Sequence, residues 1–131
     1  MTVFDTLSQL ESYQAVFPDI AWIITVMDRS LPYEEGPGRY EVNEKKDIVY
    51  HIDEALTSDK GFTAPHYAGK YVMEIVLDGD EIVCLPGSVF RLSEGRFLIY
   101  SGDDDVKRGV SFTLPSRFKA VRFVFTPQNH Q

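Results

Sequence analysis

The spacing of apolar residues changes character near residue 38. Before it, Leu7, Leu10 and Tyr13 recur in steps of three, as one face of a helix requires. Phe17-Pro18 interrupts that stripe, and Ala21, Ile24 and Met27, widened by Trp22 and Ile23, form a second one. The pattern predicts two helices within residues 4–29, with Asp5 capping the first and Pro18 opening the second. Leu31–Asn43 is a connector, stiffened by Gly36-Pro37-Gly38, which no helix tolerates. Beyond it the period is two. Arg39–Val42 and Asp47–Asp53 read as strands flanking a polar turn, Asn43-Glu44-Lys45-Lys46. Ser88–Leu92, Arg96–Tyr100, Val110–Leu114 and Arg117–Phe125 follow as further strands. The last alternates Phe118, Ala120, Arg122 and Val124 against Lys119, Val121, Phe123 and Phe125.

The organising stretch is Gly69–Pro86. Tyr71–Leu77 is rich in β-branched and aromatic residues, Asp78-Gly79 carries a hairpin turn signal, and Ile82–Leu85 returns. Two helices followed by about eight short strands predict an antiparallel barrel or jelly-roll sandwich under a helical cap at residues 1–30, with the barrel over 38–125. At 131 residues, one domain is expected.

One carboxylate breaks the apolar run of the organising stretch. Glu74 lies on the Val72/Val76 face, either solvated or buried with a task. In an apolar barrel its pKa should rise, which suits a general acid or base. His51 shares the Val49/Asp53 face of its strand, and His66-Tyr67 precedes the organising stretch.

Composition narrows the partners. Thirteen basic against twenty acidic residues give a formal charge of −7, which disfavours nucleic acid and anionic membranes. The single cysteine, Cys84, reads as a small core residue and excludes an intrachain disulfide. With no secretory leader pattern at the N-terminus, the expected location is cytoplasmic. No phosphate loop, nucleophile elbow or zinc signature is present. Asp103-Asp104-Asp105 reads as a solvated loop, and His130 as part of a frayed tail.

Three segments together resemble the YhcH/YjgK/YiaL family, which includes the β-subunit of the evolved β-galactosidase. They are Gly38–Val42 with Asp47-Ile48-Val49, Tyr71–Glu81, and Phe97–Tyr100 through Lys107-Arg108-Gly109 to Lys119-Ala120-Val121. Phe4-Asp5-Thr6-Leu7 and Tyr13 also fit. The resemblance implies a cupin-like double-stranded β-helix with two N-terminal helices, a homodimer, and a metal-holding pocket inside the barrel. It further implies work on sugars, as an anomerase or mutarotase acting on a reducing sugar or sugar acid, or as an accessory subunit of a larger sugar hydrolase. At the positions matching the family's pocket ligands stand Ala64, His66, Val72, Glu74 and Val106, so at most His66 and Glu74 could bind. A zinc-type ion wants three or four ligands, and the expectation is a chain with no metal cofactor. The candidate proton-transfer residues are Glu74, His51 and His66. Tyr67, Lys119 and Arg39 are candidates for contacting a small sugar. Whether the chain is an enzyme or a non-catalytic carbohydrate-binding module stays open at this level.

Overall fold

The computed structural model describes residues 1–42 and 45–127, those at 45 and 46 by backbone alone. Turn residues Asn43 and Glu44, and His130, lie outside the described residues. The chain opens with a strand, β1 (Val3–Thr6), then a 3₁₀ helix (Leu7–Tyr13), α1 (Ile20–Asp28) and a short α2 (Leu31–Glu34). Nine strands follow: β2 (Gly38–Val42), β3 (Lys45–Leu56), β4 (Phe62–Thr63), β5 (Tyr71–Asp78), β6 (Asp80–Leu85), β7 (Ser88–Ser93), β8 (Arg96–Ser101), β9 (Lys107–Val110) and β10 (Arg117–Phe125). They build two antiparallel sheets, ordered β1-β8-β5-β10-β3-β2 and β4-β9-β6-β7.

The N-terminal cap departs from its pattern. Residues 3–6 pair with β8 from Val3↔Ile99 to Thr6↔Arg96 and extend the larger sheet, so Asp5 sits in a strand. Its carboxylate accepts from the Thr6 amide at 2.7 Å and from the Tyr13 hydroxyl at 2.7 Å instead of capping a helix. An open sheet edge offers this segment more backbone hydrogen bonds than a lone first helical turn does. Val110–Leu114 also differs: the strand ends at Val110 and the chain turns away.

The 69–86 stretch is not a hairpin. β5 pairs with β8 and β10, whereas β6 pairs with β7 and β9, so Asp78-Gly79-Asp80 is the corner where the chain crosses between sheets. The hairpin turn proper is Pro86-Gly87, between paired Leu85 and Ser88. Gly79 has φ +79°, and a Cβ there would lie 2.5 Å from the Arg117 carbonyl oxygen; Gly87 has φ +77° with nothing within 4 Å. Gly87→Ala should therefore cost only backbone strain, about 1 kcal/mol. Gly79→Ala should cost at least twice as much, because overpacking adds about 1–3 kcal/mol. Urea midpoints of the two variants check this; equal shifts would contradict the corner geometry.

The larger sheet separates two cores. On one face, the rows Tyr40–Tyr50–Phe123–Met73–Ile99 and Gly38–Ile52–Val121–Ile75–Phe97 pack under Leu10, Phe17, Ile20, Ile23 and Val26 of the cap. The other face, with Val72, Val76, Leu98, Tyr100, Ala120 and Val124, meets Val83, Leu85 and Leu92 of the smaller sheet and closes the barrel interior. Cys84 points away from that interior and is half-buried.

Candidate functional site

Strand alternation carries one polar row across the inner face of the larger sheet. Arg39 stands opposite His51, His51 opposite Arg122, Arg122 opposite Glu74, and Glu74 opposite Leu98. Side chains directly opposite on antiparallel strands point the same way, about 5 Å apart. The row on one side is Val49–Val124–Val72–Tyr100, and that on the other includes Asp53, Ala120 and Val76. Polar chemistry thus sits as a stripe between apolar layers.

Arg108 reaches this stripe from the smaller sheet because β9 is bulged. Lys107 pairs with Cys84 and Val110 with Ile82, leaving Arg108 and Gly109 opposite Val83 alone. The extra residue is accommodated by Gly109 at φ +65°, where a Cβ would lie 2.7 Å from the Phe62 ring. Two consequences follow. Arg108 turns into the barrel, and the Gly109 amide donates to Glu81 Oε1 at 2.7 Å.

Arg108 Nε donates to both oxygens of Glu74 at 3.0 Å. Its Nη2 lies 3.0 Å from Glu74 Oε2 in ion-pair contact without good hydrogen-bond alignment. Arg108 Nη1 meets Asp53 Oδ2 at 3.0 Å, and Arg122 Nε reaches the same oxygen at 3.3 Å. Glu74 has no exposed surface, Glu81 is 2% exposed, and Arg108 and Arg122 are 4% and 7% exposed.

Charge settles the protons. Burial pushes the Glu74 carboxyl up most strongly, but the Arg108 guanidinium, with Glu81 and Arg122 beside it, outweighs burial and holds the group below its ordinary value. Burial pushes Glu81 well up, and the neighbouring Glu74 charge pushes further. Glu74 is therefore the anion and Glu81 the neutral acid. This corrects the expectation of a raised Glu74. A neutral Glu81 also fits its buried Oε2, which has no hydrogen-bond partner among the described residues and costs less to bury uncharged. Burial, then the nearby arginines, lowers the His51 pKa, so its imidazole is neutral at pH 7.

At the His51 end of the stripe opens a mouth, a cavity of about 340 Å³ lined by Arg39, Asp47, Val49, His51, Tyr67, Ala68, Lys70 and Val124. The Tyr67 hydroxyl stands 3.5 Å from His51 Nε2.

Backbone pairing decides which residues between Thr63 and Lys70 face the barrel. The Ala64 amide donates to the Val106 carbonyl at 2.9 Å and the Tyr67 amide to Gly102 at 2.8 Å. Ala64 is thereby buried in the barrel, Tyr67 lines the mouth, and His66 points outward to Asp105 Oδ1 at 2.8 Å. Of the six residues singled out from sequence, Glu74 lies inside the barrel while His51, Tyr67 and Arg39 gather at the mouth. His66 does not join them. Lys119 is on the opposite face, donating to the Tyr33 carbonyl at 3.0 Å.

No family model and no curated protein matches this sequence. Solved structures do match its fold. A cupin protein (BF4112) from Bacteroides fragilis aligns at TM-score 0.55 and 14% identity, covering 71% of this chain and 78% of that one. The fold is cupin-like. Protein NMB1881 from Neisseria meningitidis aligns at TM-score 0.53 and 14% identity, over 70% of this chain and 84% of that one. A cupin 2 domain-containing protein from Halorhodospira halophila gives 0.50 and 13%, over 75% and 72%.

A metal pocket of the kind the family resemblance implies does not fit this cupin-like barrel. Both oxygens of Glu74 are engaged by a guanidinium, and a second guanidinium follows in the same row, so an incoming divalent cation would meet two fixed positive charges. Among the described residues, no three His, Cys, Asp or Glu side chains are grouped to hold a metal ion.

Proposed function

We propose that the chain is a metal-independent binding protein of the sugar-handling kind, taking a small polar molecule at the barrel mouth between Arg39, His51, Tyr67 and Lys70. One observation carries this reading. Of the two strand carboxylates of the organising stretch that face the barrel, Glu74 is fully buried and held on both oxygens by Arg108, so it is a strut and not a reagent. What a ligand can touch is the mouth, and its groups suit a hydroxylated ligand: a neutral imidazole, a phenol with an apolar face, and two cations. The resemblance to the YhcH/YjgK/YiaL family supports a carbohydrate as that ligand.

Titrating the protein with reducing sugars and sugar acids, followed by amide and imidazole NMR shifts, tests the reading. Shifts centred on His51 and Tyr67 are expected, unchanged by EDTA, with affinity falling about tenfold in Tyr67→Ala. Binding that requires added metal would sink it.

A second reading, anomerase turnover, draws on His51 and Tyr67, which place a proton acceptor and a proton donor together at the same mouth. Ring opening and closure need those two roles. Saturation-transfer NMR on the same sugars separates the readings, since only turnover accelerates anomer exchange, and His51→Gln should abolish it.

A further inference from the structure

Among the described residues, and apart from Arg108 Nη2, which lies against Glu74 Oε2, the barrel buries two donors without an acceptor. Arg122 spends only its Nε, on Asp53 at 3.3 Å, and among the described residues its Nη1 is buried with no partner. The Tyr100 hydroxyl is buried with no partner as well. A buried N–H or O–H left unpaired forfeits its hydration with nothing in exchange, so a pair of them in one interior calls for an occupant.

The two residues flank the same carboxylate. Arg122 lies directly opposite Glu74 across β10 and β5. Tyr100 lies opposite Val72, diagonal to Glu74 across β5 and β8. Glu74 itself is no remedy, because Arg108 already engages both of its oxygens. Arg122 also adjoins the mouth, since Val124 and His51 line the cavity and are its neighbours along and across the sheet, and Tyr100 ends the Val49–Val124–Val72 row, two of whose members line it.

The chemistry of the occupant follows from the donors. With Nε on Asp53, the Nη end of the guanidinium is the edge that takes a carboxylate in two parallel hydrogen bonds. The phenol is a donor that stays protonated, because burial and the Glu74 charge raise its pKa. Arg39 and Lys70 at the rim add positive potential along the way in.

We propose that Arg122 and Tyr100 form a buried oxyanion subsite that receives a small carboxylate, supplied either by a free carboxylic acid or by the acid group of a larger ligand seated at the mouth. The second source rests on the mouth being the ligand site. The subsite itself does not.

The test is titration of the whole protein with acetate, sodium bromide, a neutral reducing sugar and the corresponding sugar acid, followed by arginine Nε–Hε and backbone NMR. Acetate is expected to shift the Arg122 Nε–Hε signal saturably, and Tyr100→Phe, which keeps the ring and its packing, should weaken that binding at least fivefold. Arg122→Lys should abolish it; if that variant does not fold, Tyr100→Phe decides alone.

A sugar acid binding at least tenfold tighter than both acetate and the neutral sugar would identify the larger ligand as the source. Acetate binding at Arg122 with no response to any sugar would support the subsite and refute the mouth reading. Neutral sugars shifting His51 and Tyr67, with no carboxylate reaching Arg122, would refute the subsite and leave the mouth reading standing. Bromide matching acetate would overturn the carboxylate assignment, as would an Arg122 signal unmoved by every anion.

Discussion

Arg108→Met should lower folding stability by roughly 3–5 kcal/mol at pH 7, the loss typical of removing one partner from a buried ion pair. Among the described residues, Arg108 is the one positive charge at hydrogen-bonding distance of Glu74, and it also binds Asp53. Without it, a carboxylate with no exposed surface must either stay charged in an apolar interior or take up a proton at neutral pH. Asp53 is less affected, because its side chain is 35% exposed and retains Arg122. The destabilisation should shrink as pH falls towards the ordinary carboxylate pKa, because a protonated Glu74 needs no counter-ion. Glu74→Leu combined with Arg108→Met should recover more than half of the loss, since apolar replacement of a whole buried pair is often neutral. Urea unfolding of the single and double variants provides the measurement. A single variant within 1 kcal/mol of the parent would mean that the pair is not the strut described above.

The second large effect concerns Glu81. Its folded-state pKa is raised above the unfolded value, so between the two the native state binds the extra proton. Stability then falls as pH rises, by about 1.4 kcal/mol per pH unit, from near pH 4.5 up to the folded pKa. Glu74 has the opposite sign. Its lowered pKa contributes stability present above pH 4.5 and lost as pH falls through its folded value. The two groups thus act in separate windows, Glu74 below pH 4.5 and Glu81 above it. Glu81→Gln preserves the neutral form, since its carbonyl can accept from Gly109 and its amide carries no charge. That variant should be more stable than the parent at pH 7–8 by at least 1 kcal/mol, and the declining limb should vanish. Thermal melts from pH 4 to 9 decide the point. An unchanged slope in Glu81→Gln would show that the proton lies elsewhere.

Much of this site could be read from alternation, though not all of what it implied. Val49-x-His51-x-Asp53, Val72-x-Glu74-x-Val76 and Ala120-x-Arg122-x-Val124 each put a polar side chain on an apolar face, and each lies on the barrel side. Arg122 was visible on that face, and its opposition to Glu74 could not be known before the strand order was. Glu81 carried a weaker form of the same signal. It shares a face with Val83 and Leu85, yet beside Asp78 and Asp80 it reads as surface acid. Arg108 gave no periodic signal at all, because a bulge at Gly109 resets the face it points to. The Asp78-Gly79 turn misled for a related reason: a glycine with positive φ serves a hairpin and a sheet-crossing corner equally well, and local sequence cannot tell which strand the chain will pair with next.

Residue order alone pointed to a β-rich chain after Gly38, to the two faces of each strand, and to a carboxylate at Glu74 sharing a face with Val72 and Val76, solvated or buried. Side-chain alternation is local, set by the pleat of the backbone within a few residues. Tertiary structure alone decided that Val3–Thr6 would join the sheet edge, that His66 would face out and Tyr67 in, and that Arg108 would meet Glu74 across the barrel. Residues 74 and 108 belong to different sheets, and their encounter depends on closure of the sandwich. That closure also moved the proton. A lone carboxyl in an apolar barrel would be neutral, but a guanidinium at 3.0 Å makes Glu74 the anion and leaves Glu81 to carry the acid.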